Sequence, residues 1–329
     1  METLPAFDLL RPSTIDEAVG ACAENPGCRL LAGGTDLLVN LRRGIGDPPP
    51  ALVDVSAIEE LATIQAEDGG PTIGAAVRIA DLADHADVAA RFPVLAQAAA
   101  SVAGPTHRQM ATVGGNLCLD TRCIYYNQSE WWRSANGYCL KYGGSVCHVA
   151  PKSTFCYATF SGDLAPALMV LGSVVEITGR TGTRSLPLSD LYTGDGQHYL
   201  ALAPGEIATR VTLKELPGAR SGYEKMRVRQ SIEFPLAGVA VALVRDGDAL
   251  SHLRVAVTGT NPRPVLLRGT DALCGMPMGD MFFERLDDLV RDQIMSMKTT
   301  FTPGHYRRKI TQMLVWRLTE KLFRDLGSG

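Results

Sequence analysis

The chain has 329 residues, 46% of them hydrophobic, enough for two or three domains with separate cores and too apolar for a disordered polymer. A net charge of −3 gives no electrostatic reason to expect nucleic acid or an anionic membrane as partner. No apolar run reaches the ~18 residues of a membrane span, and the first five residues lack the basic-then-apolar order of a secretory signal. The expected compartment is therefore the cytoplasm, where clustered cysteines point to metal or redox chemistry rather than disulfides.

From Phe7 to Asp54 the chain reads as a small α/β unit. Ser13-Thr14 can cap a helix from Ile15 that ends at Pro26-Gly27. Cys28–Ala32 is a short buried strand, followed by Gly33-Gly34 and a helix to Arg43 capped by Thr35 or Asp36 and stopped by Gly44 and Gly46. Ala51–Val55 is the next strand. Strand, double glycine and helix start make an anion site, because glycine lets backbone approach closely and the helix dipole favours phosphate. The turn lacks the G-x-G-x-x-G pattern, which disfavours a Rossmann loop and leaves Asp54 an ordinary strand-end acid.

Pro71–Val77 alternates as a strand, Ile79–His85 and Val94–Val102 read as helices, and Gly104-Pro105 is a break. A second glycine turn, Thr112-Val113-Gly114-Gly115-Asn116, follows, and a pyrophosphate can lie between two such sets of amides. Further on come a helix at Leu164–Leu171, a hairpin of Ser173–Ile177 with Arg184–Leu188, and a strand at Ala208–Leu213. Beyond Pro217-Gly218, strands are expected at Tyr223–Arg229, Gly238–Arg245 and Leu253–Thr258, and helices near Met281–Met297 and Tyr306–Leu326.

Between the second glycine turn and Asp163 lie Cys118, Cys123, Cys139, Cys147 and Cys156, five of the eight cysteines, with Tyr125, Tyr126, Trp131, Trp132, Tyr138, Tyr142 and Phe155. The stretch is poor in aliphatic periodicity and needs a staple. Cys123, Cys139, Cys147 and Cys156 are spaced C-x15-C-x7-C-x8-C. Structural zinc sites usually contain a close C-x2–4-C knuckle, which these four lack; Cys118 and Cys123 are separated by four residues, but Cys118 sits immediately behind the glycine turn. Iron–sulfur sites also commonly use a close pair, so spacing leaves the metal open. A zinc-stapled, non-catalytic assembly subunit is one reading. Cys22, Cys28 and Cys274 stand alone and read as core thiols.

Four stretches occur in order: Leu31-Ala32-Gly33-Gly34-Thr35-Asp36-Leu37, Ala111-Thr112-Val113-Gly114-Gly115-Asn116, Ser161-Gly162-Asp163-Leu164-Ala165-Pro166 and Pro204-Gly205-Glu206-Ile207. Together they resemble, over essentially the whole chain, the FAD-binding medium subunit of the xanthine dehydrogenase family of molybdenum hydroxylases. The cysteine stretch is an insertion relative to most of that family. With Asp120-Thr121-Arg122-Cys123, Tyr138-Cys139-Leu140-Lys141 and Cys147-His148-Val149 it resembles the loop of 4-hydroxybenzoyl-CoA reductase beta subunits that binds a 4Fe–4S cluster.

The resemblance implies an α+β fold: two α/β FAD-binding subdomains (1–56 and 57–217, the insertion at about 117–160), then a three-stranded antiparallel sheet with helices (218–329). It places Leu30–Leu37, that is Leu30, Leu31, Ala32, Gly33, Gly34, Thr35, Asp36 and Leu37, and Ala111–Asn116 around the FAD pyrophosphate. Val102 and Ala103 match positions against the flavin, although relatives often carry an aromatic where this chain has Val102. Asp163 matches the acid on the adenosine ribose, Ile207 a residue packed on the isoalloxazine, and Lys225 a lysine near the flavin. Cys123, Cys139, Cys147 and Cys156 match the cluster ligands, Cys118 has no ligand role, and Trp131, Trp132 and the tyrosines would form a dry shell. No residue would touch the organic substrate. The implied partners are a molybdopterin-binding large subunit and a 2Fe–2S small subunit, the set doubled by symmetry, with ferredoxin as electron donor. An alternative in the same family is a purine or heteroaromatic hydroxylase passing electrons outward to NAD or another acceptor.

Overall fold

In the computed structural model, which describes residues 3–66 and 70–324, three sheets follow one another along the chain. The first is parallel, in the order β1 (Asp8–Leu10), β3 (Ala51–Asp54), β2 (Arg29–Leu31). Helix α1 (Ile15–Glu24) joins β1 to β2. Thr14 caps it by accepting the Glu17 N–H at 3.2 Å, and Ile15, Ala18, Val19 and Cys22 form its buried stripe. Helix α2 (Leu37–Arg42) follows β2 and is stopped by left-handed Gly44 and Gly46, as the sequence predicts.

The second sheet is antiparallel, in the order β4 (Ile64–Gln65), β5 (Thr72–Gly74), β8 (Ile207–Thr212), β6 (Val174–Gly179), β7 (Gly182–Pro187). Between β5 and β6 the chain forms α3 (Ile79–Asp84), α4 (Ala86–Arg91), α5 (Pro93–Ser101), α6 (Pro105–Arg108), α7 (Val113–Leu117), α8 (Glu130–Ala135) and α9 (Leu164–Val170). Every residue of α9 is buried, which makes it the central rod of the molecule.

The C-terminal sheet is antiparallel, in the order β12 (Val265–Leu266), β11 (Ala249–Thr258), β10 (Ala237–Asp246), β9 (Arg220–Met226). It therefore has four strands where three are expected, the addition being the two-residue β12. Strand β9 ends before the expected Arg229 because the chain leaves the sheet to reach Ala103, whose carbonyl accepts the Ile232 N–H at 3.1 Å. Strand β10 is buried on both faces. Ala240 and Ala242 belong to the core around α5 and α9, whereas Val239, Val241 and Leu243 belong to the core under α10 (Asp280–Gln293) and α11 (Gly304–Arg324). Period-two alternation thus puts small residues where helices approach closely and large ones opposite. Helix α10 stops short of the expected Met297 because the Asn261 side chain takes the Gln293 carbonyl (3.1 Å) and the Met295 N–H (3.0 Å). The expected end of α11 at Leu326 lies outside the described residues. Among those described, no helix is long and apolar enough to cross a membrane.

Candidate functional site

The first glycine turn leaves β2 beside the second. A Cβ on Gly33 would overlap the Met110 carbonyl, and one on Gly114 would stand 2.8 Å from the Ala75 Cβ. These two glycines are needed because main chain packs on main chain, a different reason from the phosphate approach the sequence suggests. Gly34 is required by its left-handed backbone, φ +69°. Asp36 precedes α2 but does not cap it. Its carboxylate instead accepts from Asn40 Nδ2 at 3.0 Å and from the Arg122 guanidinium.

The two turns differ in their free donors. Among the described residues, the N–H groups of Gly33, Gly34, Thr35 and Asp36 meet no main-chain acceptor. In the second turn Val113 N–H donates to Val77 O, Gly114 N–H to Ala75 O, Gly115 N–H to the Thr112 hydroxyl and Asn116 N–H to Thr112 O. The first turn is thus an open nest of amides suited to an anion. The second is an internally bonded platform behind it, so the expected clasp by both sets of amides is not what this geometry offers.

The platform continues into α9. Asn116 Oδ1 accepts the Leu164 N–H at 3.0 Å, and Gly162 lies against the Asn116 carbonyl. Asp163 is buried, with Tyr223 donating to Oδ1 at 2.6 Å and Lys225 to Oδ2 at 2.9 Å. Burial pushes its carboxyl up, opposed by the Lys225 charge and the Tyr223 hydroxyl. Gly238 makes this possible, since a Cβ there would occupy the place of the Tyr223 hydroxyl. Lys225 also donates to the Ser101 carbonyl at 3.1 Å, next to Val102 and left-handed Ala103. The structure thus joins Val102, Ala103, Asp163 and Lys225 in one place. Ile207 is apart from them, buried with Ile15, Val53 and Ala76 in the N-terminal core, where Leu30 and Ala32 also pack. Tyr223, Ile232 and Arg122 were not visible as site residues in sequence, because each acts across a long chain separation.

The cysteine insertion begins and ends at a main-chain bridge, Arg122 N–H to Thr159 O at 2.8 Å and Thr159 N–H to Arg122 O at 2.7 Å. Arg122 also donates to Asn40 Oδ1 at 3.0 Å and lies over the Phe234 ring at 5.1 Å, so the neck touches both α2 and the C-terminal domain. Burial pulls its guanidinium down to about 10. Ile45, just past α2, packs with Cys123, Tyr126, Cys139 and Cys156. The insertion therefore rests on the far end of the helix whose start is the open nest, about 9 Å away at 1.5 Å per residue over six residues.

Cys123, Cys139, Cys147 and Cys156 line one small void, walled also by Tyr125, Tyr126 and Lys141. Burial pushes the Cys123 thiol up to about 11 and the Cys156 thiol up to about 12. Cys118 lies outside the void, and its thiol is likewise pushed up, to about 12. Among the described residues no group of three or more His, Cys, Asp or Glu is placed to hold a metal ion. Of the expected ring shell, Tyr125 and Trp132 meet with centroids 6.3 Å apart, but Trp131 is 77% exposed. Trp131 points to solvent because Arg133 occupies the inward face of α8.

An open amide nest, a platform behind it and a buried acid–lysine pair make up the candidate site. The family described as "FAD binding domain in molybdopterin dehydrogenase" matches residues 5–214, and the chain belongs to that family. It is 37% identical over 279 residues to the aldehyde oxidoreductase FAD-binding subunit PaoB of Escherichia coli K12, covering 82% of this chain and 86% of that one. To the putative xanthine dehydrogenase FAD-binding subunit XdhB of the same organism it is 29% identical over 321 residues, covering 96% of each. The fold matches a chain of the Cu,Mo-CO dehydrogenase crystal structure with a TM-score of 0.80 at 24% identity, covering 98% of this chain and 99% of that one. The protein is the FAD-binding subunit of a molybdenum hydroxylase complex, an oxidoreductase.

Proposed function

We propose that this chain carries both FAD and a 4Fe–4S cluster and relays electrons within a three-component molybdenum enzyme of the 4-hydroxybenzoyl-CoA reductase type. The observation that carries the reading is the convergence of four buried thiols on one void. A single tetrahedral ion with Zn–S of ≈ 2.3 Å requires sulfurs within about 4 Å of one another. A four-iron cube needs the same four thiols further apart. Four buried cysteines around one void match the four thiolate ligands that a 4Fe–4S cluster takes.

The residues present suit the two groups. Gly33–Asp36 offer amides to a pyrophosphate, while Asp163 and Lys225 sit beside Val102 and Ala103, where the flavin ring is expected. Cys123, Cys139, Cys147 and Cys156 would ligate the cluster. When bound, FAD and an iron–sulfur cluster supply electron transfer in steps of one and two electrons. The chain's own contribution is to hold the two sites at opposite ends of α2, to bury the thiols and to keep water from them.

A large molybdopterin-binding subunit and a small 2Fe–2S subunit complete the proposed enzyme, with reduced ferredoxin as donor. Removal of the phenolic hydroxyl consumes two electrons and two protons and releases benzoyl-CoA and water. A second reading, favoured by the 37% identity to an aldehyde oxidoreductase subunit, is aldehyde oxidation with electrons leaving through the flavin. The test is turnover by the co-expressed complex. Reduction of 4-hydroxybenzoyl-CoA with reduced ferredoxin supports the first reading. Aromatic aldehyde oxidation with an oxidising dye, and no turnover of the thioester, supports the second.

A further inference from the structure

We propose that Arg122, at the neck of the insertion, is a positioning residue for FAD: it draws the Asp36 carboxylate off the first glycine turn and cancels its charge, leaving the amides of Gly33–Asp36 open to a pyrophosphate. The inference deepens the assignment of FAD to that turn and is independent of the iron–sulfur reading.

An aspartate before a helix ordinarily caps it, its carboxylate accepting an N–H two or three residues on. Asp36 stands at that position before α2 and makes no such bond. Its backbone, at φ −113° and ψ −54°, is not in the extended conformation of a capping residue. The Val39 N–H that a cap would take meets no main-chain acceptor among the described residues. Both carboxylate oxygens are committed elsewhere: Oδ1 accepts from the Arg122 guanidinium and Oδ2 from Asn40 Nδ2 at 3.0 Å. Arg122 closes the ring of three by donating to Asn40 Oδ1 at 3.0 Å.

Arg122 is itself fixed in place. Its main chain bonds to Thr159 in both directions, its guanidinium lies over the Phe234 ring, and its side chain is 16% exposed. The insertion therefore reaches the glycine turn through its neck and not through its thiols.

The effect of the pair is electrostatic. Asp36 brings one of the four open amides and, on the same residue, a carboxylate. Unpaired, that carboxylate would repel an incoming pyrophosphate and compete with it for N–H donors. Paired with a guanidinium, the residue offers its amide without its charge.

The experiment uses the complete complex, stripped of flavin and titrated with FAD by fluorescence quenching. Arg122→Met, Asp36→Ala and the double variant are compared with wild type. Arg122→Met is expected to weaken FAD binding by about tenfold or more, the scale of a like-charge contact at a binding site. The double variant is expected to recover most of that loss, because alanine can neither cap nor repel. A merely structural tether predicts the reverse, with the double variant as weak as Arg122→Met or weaker, and that result overturns the proposal. An Arg122→Met complex that binds FAD as tightly as wild type overturns it too. Should Arg122→Met fail to assemble, Asp36→Ala alone decides: FAD held at least as tightly as by wild type supports the proposal, and weaker binding overturns it. Gly33→Val tests the assignment beneath. If it loses FAD while Arg122→Met does not, only this inference falls; if it keeps FAD, the turn is not the pyrophosphate site and both fall.

Discussion

The glycine turns are positioned by main chain against main chain, and the cysteine insertion by side chains around a void. Gly33 presses on Met110 and Gly114 on Ala75, with every second-turn amide from Val113 to Asn116 bonded inside the protein. The insertion has a two-residue neck, a small cluster around Ile45, Tyr126 and Ala158, and four buried thiols lining one pocket. Substitutions in the first should act through steric overlap, and those in the second through loss of the group that fills it.

That contrast can be broken by exchanging the two losses. Cys139→Ser or Cys147→Ser should remove essentially all cluster iron while flavin content stays at the wild-type level, read by metal analysis and absorbance of the purified complex. Gly33→Val should do the reverse, costing about 4 kcal/mol or more through overlap with the Met110 backbone and releasing flavin while the iron stays. Flavin and iron lost together in both variants would show that the regions are not separable.

Asp163→Ala comes next. It leaves the Lys225 ammonium buried without its carboxylate, and an expected cost of about 3–5 kcal/mol should appear in chemical denaturation. Tyr223→Phe removes one neutral donor from that carboxylate and should cost about 1–3 kcal/mol. Cys118→Ser should leave iron content unchanged, because its thiol lies outside the void. Trp131→Ala, 77% exposed, should change stability by no more than about 0.5 kcal/mol.

Features set by neighbours in the chain were legible in sequence: the Thr14 cap, the glycine stops after α2, and the strands around Asp246-Gly247. The glycine turns were legible as turns, but not the reason for Gly33, since its steric partner Met110 is far along the chain. Spacing alone could not say that Cys123, Cys139, Cys147 and Cys156 meet at one void, because no close pair marks them; the family resemblance supplied that expectation. Ile207, which the resemblance matches to a flavin contact, packs in the N-terminal core with Leu30 and Ala32. The bond from Arg122 to Asp36 links residues 86 apart, and no local pattern announces it.

The central claim is that the insertion holds a cluster while FAD lies against the open amides of the first glycine turn. The most direct test counts iron, acid-labile sulfide, zinc and flavin per copy of this chain, isolated from the anaerobically purified complex. The account predicts about four irons with matching sulfide and one FAD. Stoichiometric zinc with no labile sulfide would contradict it.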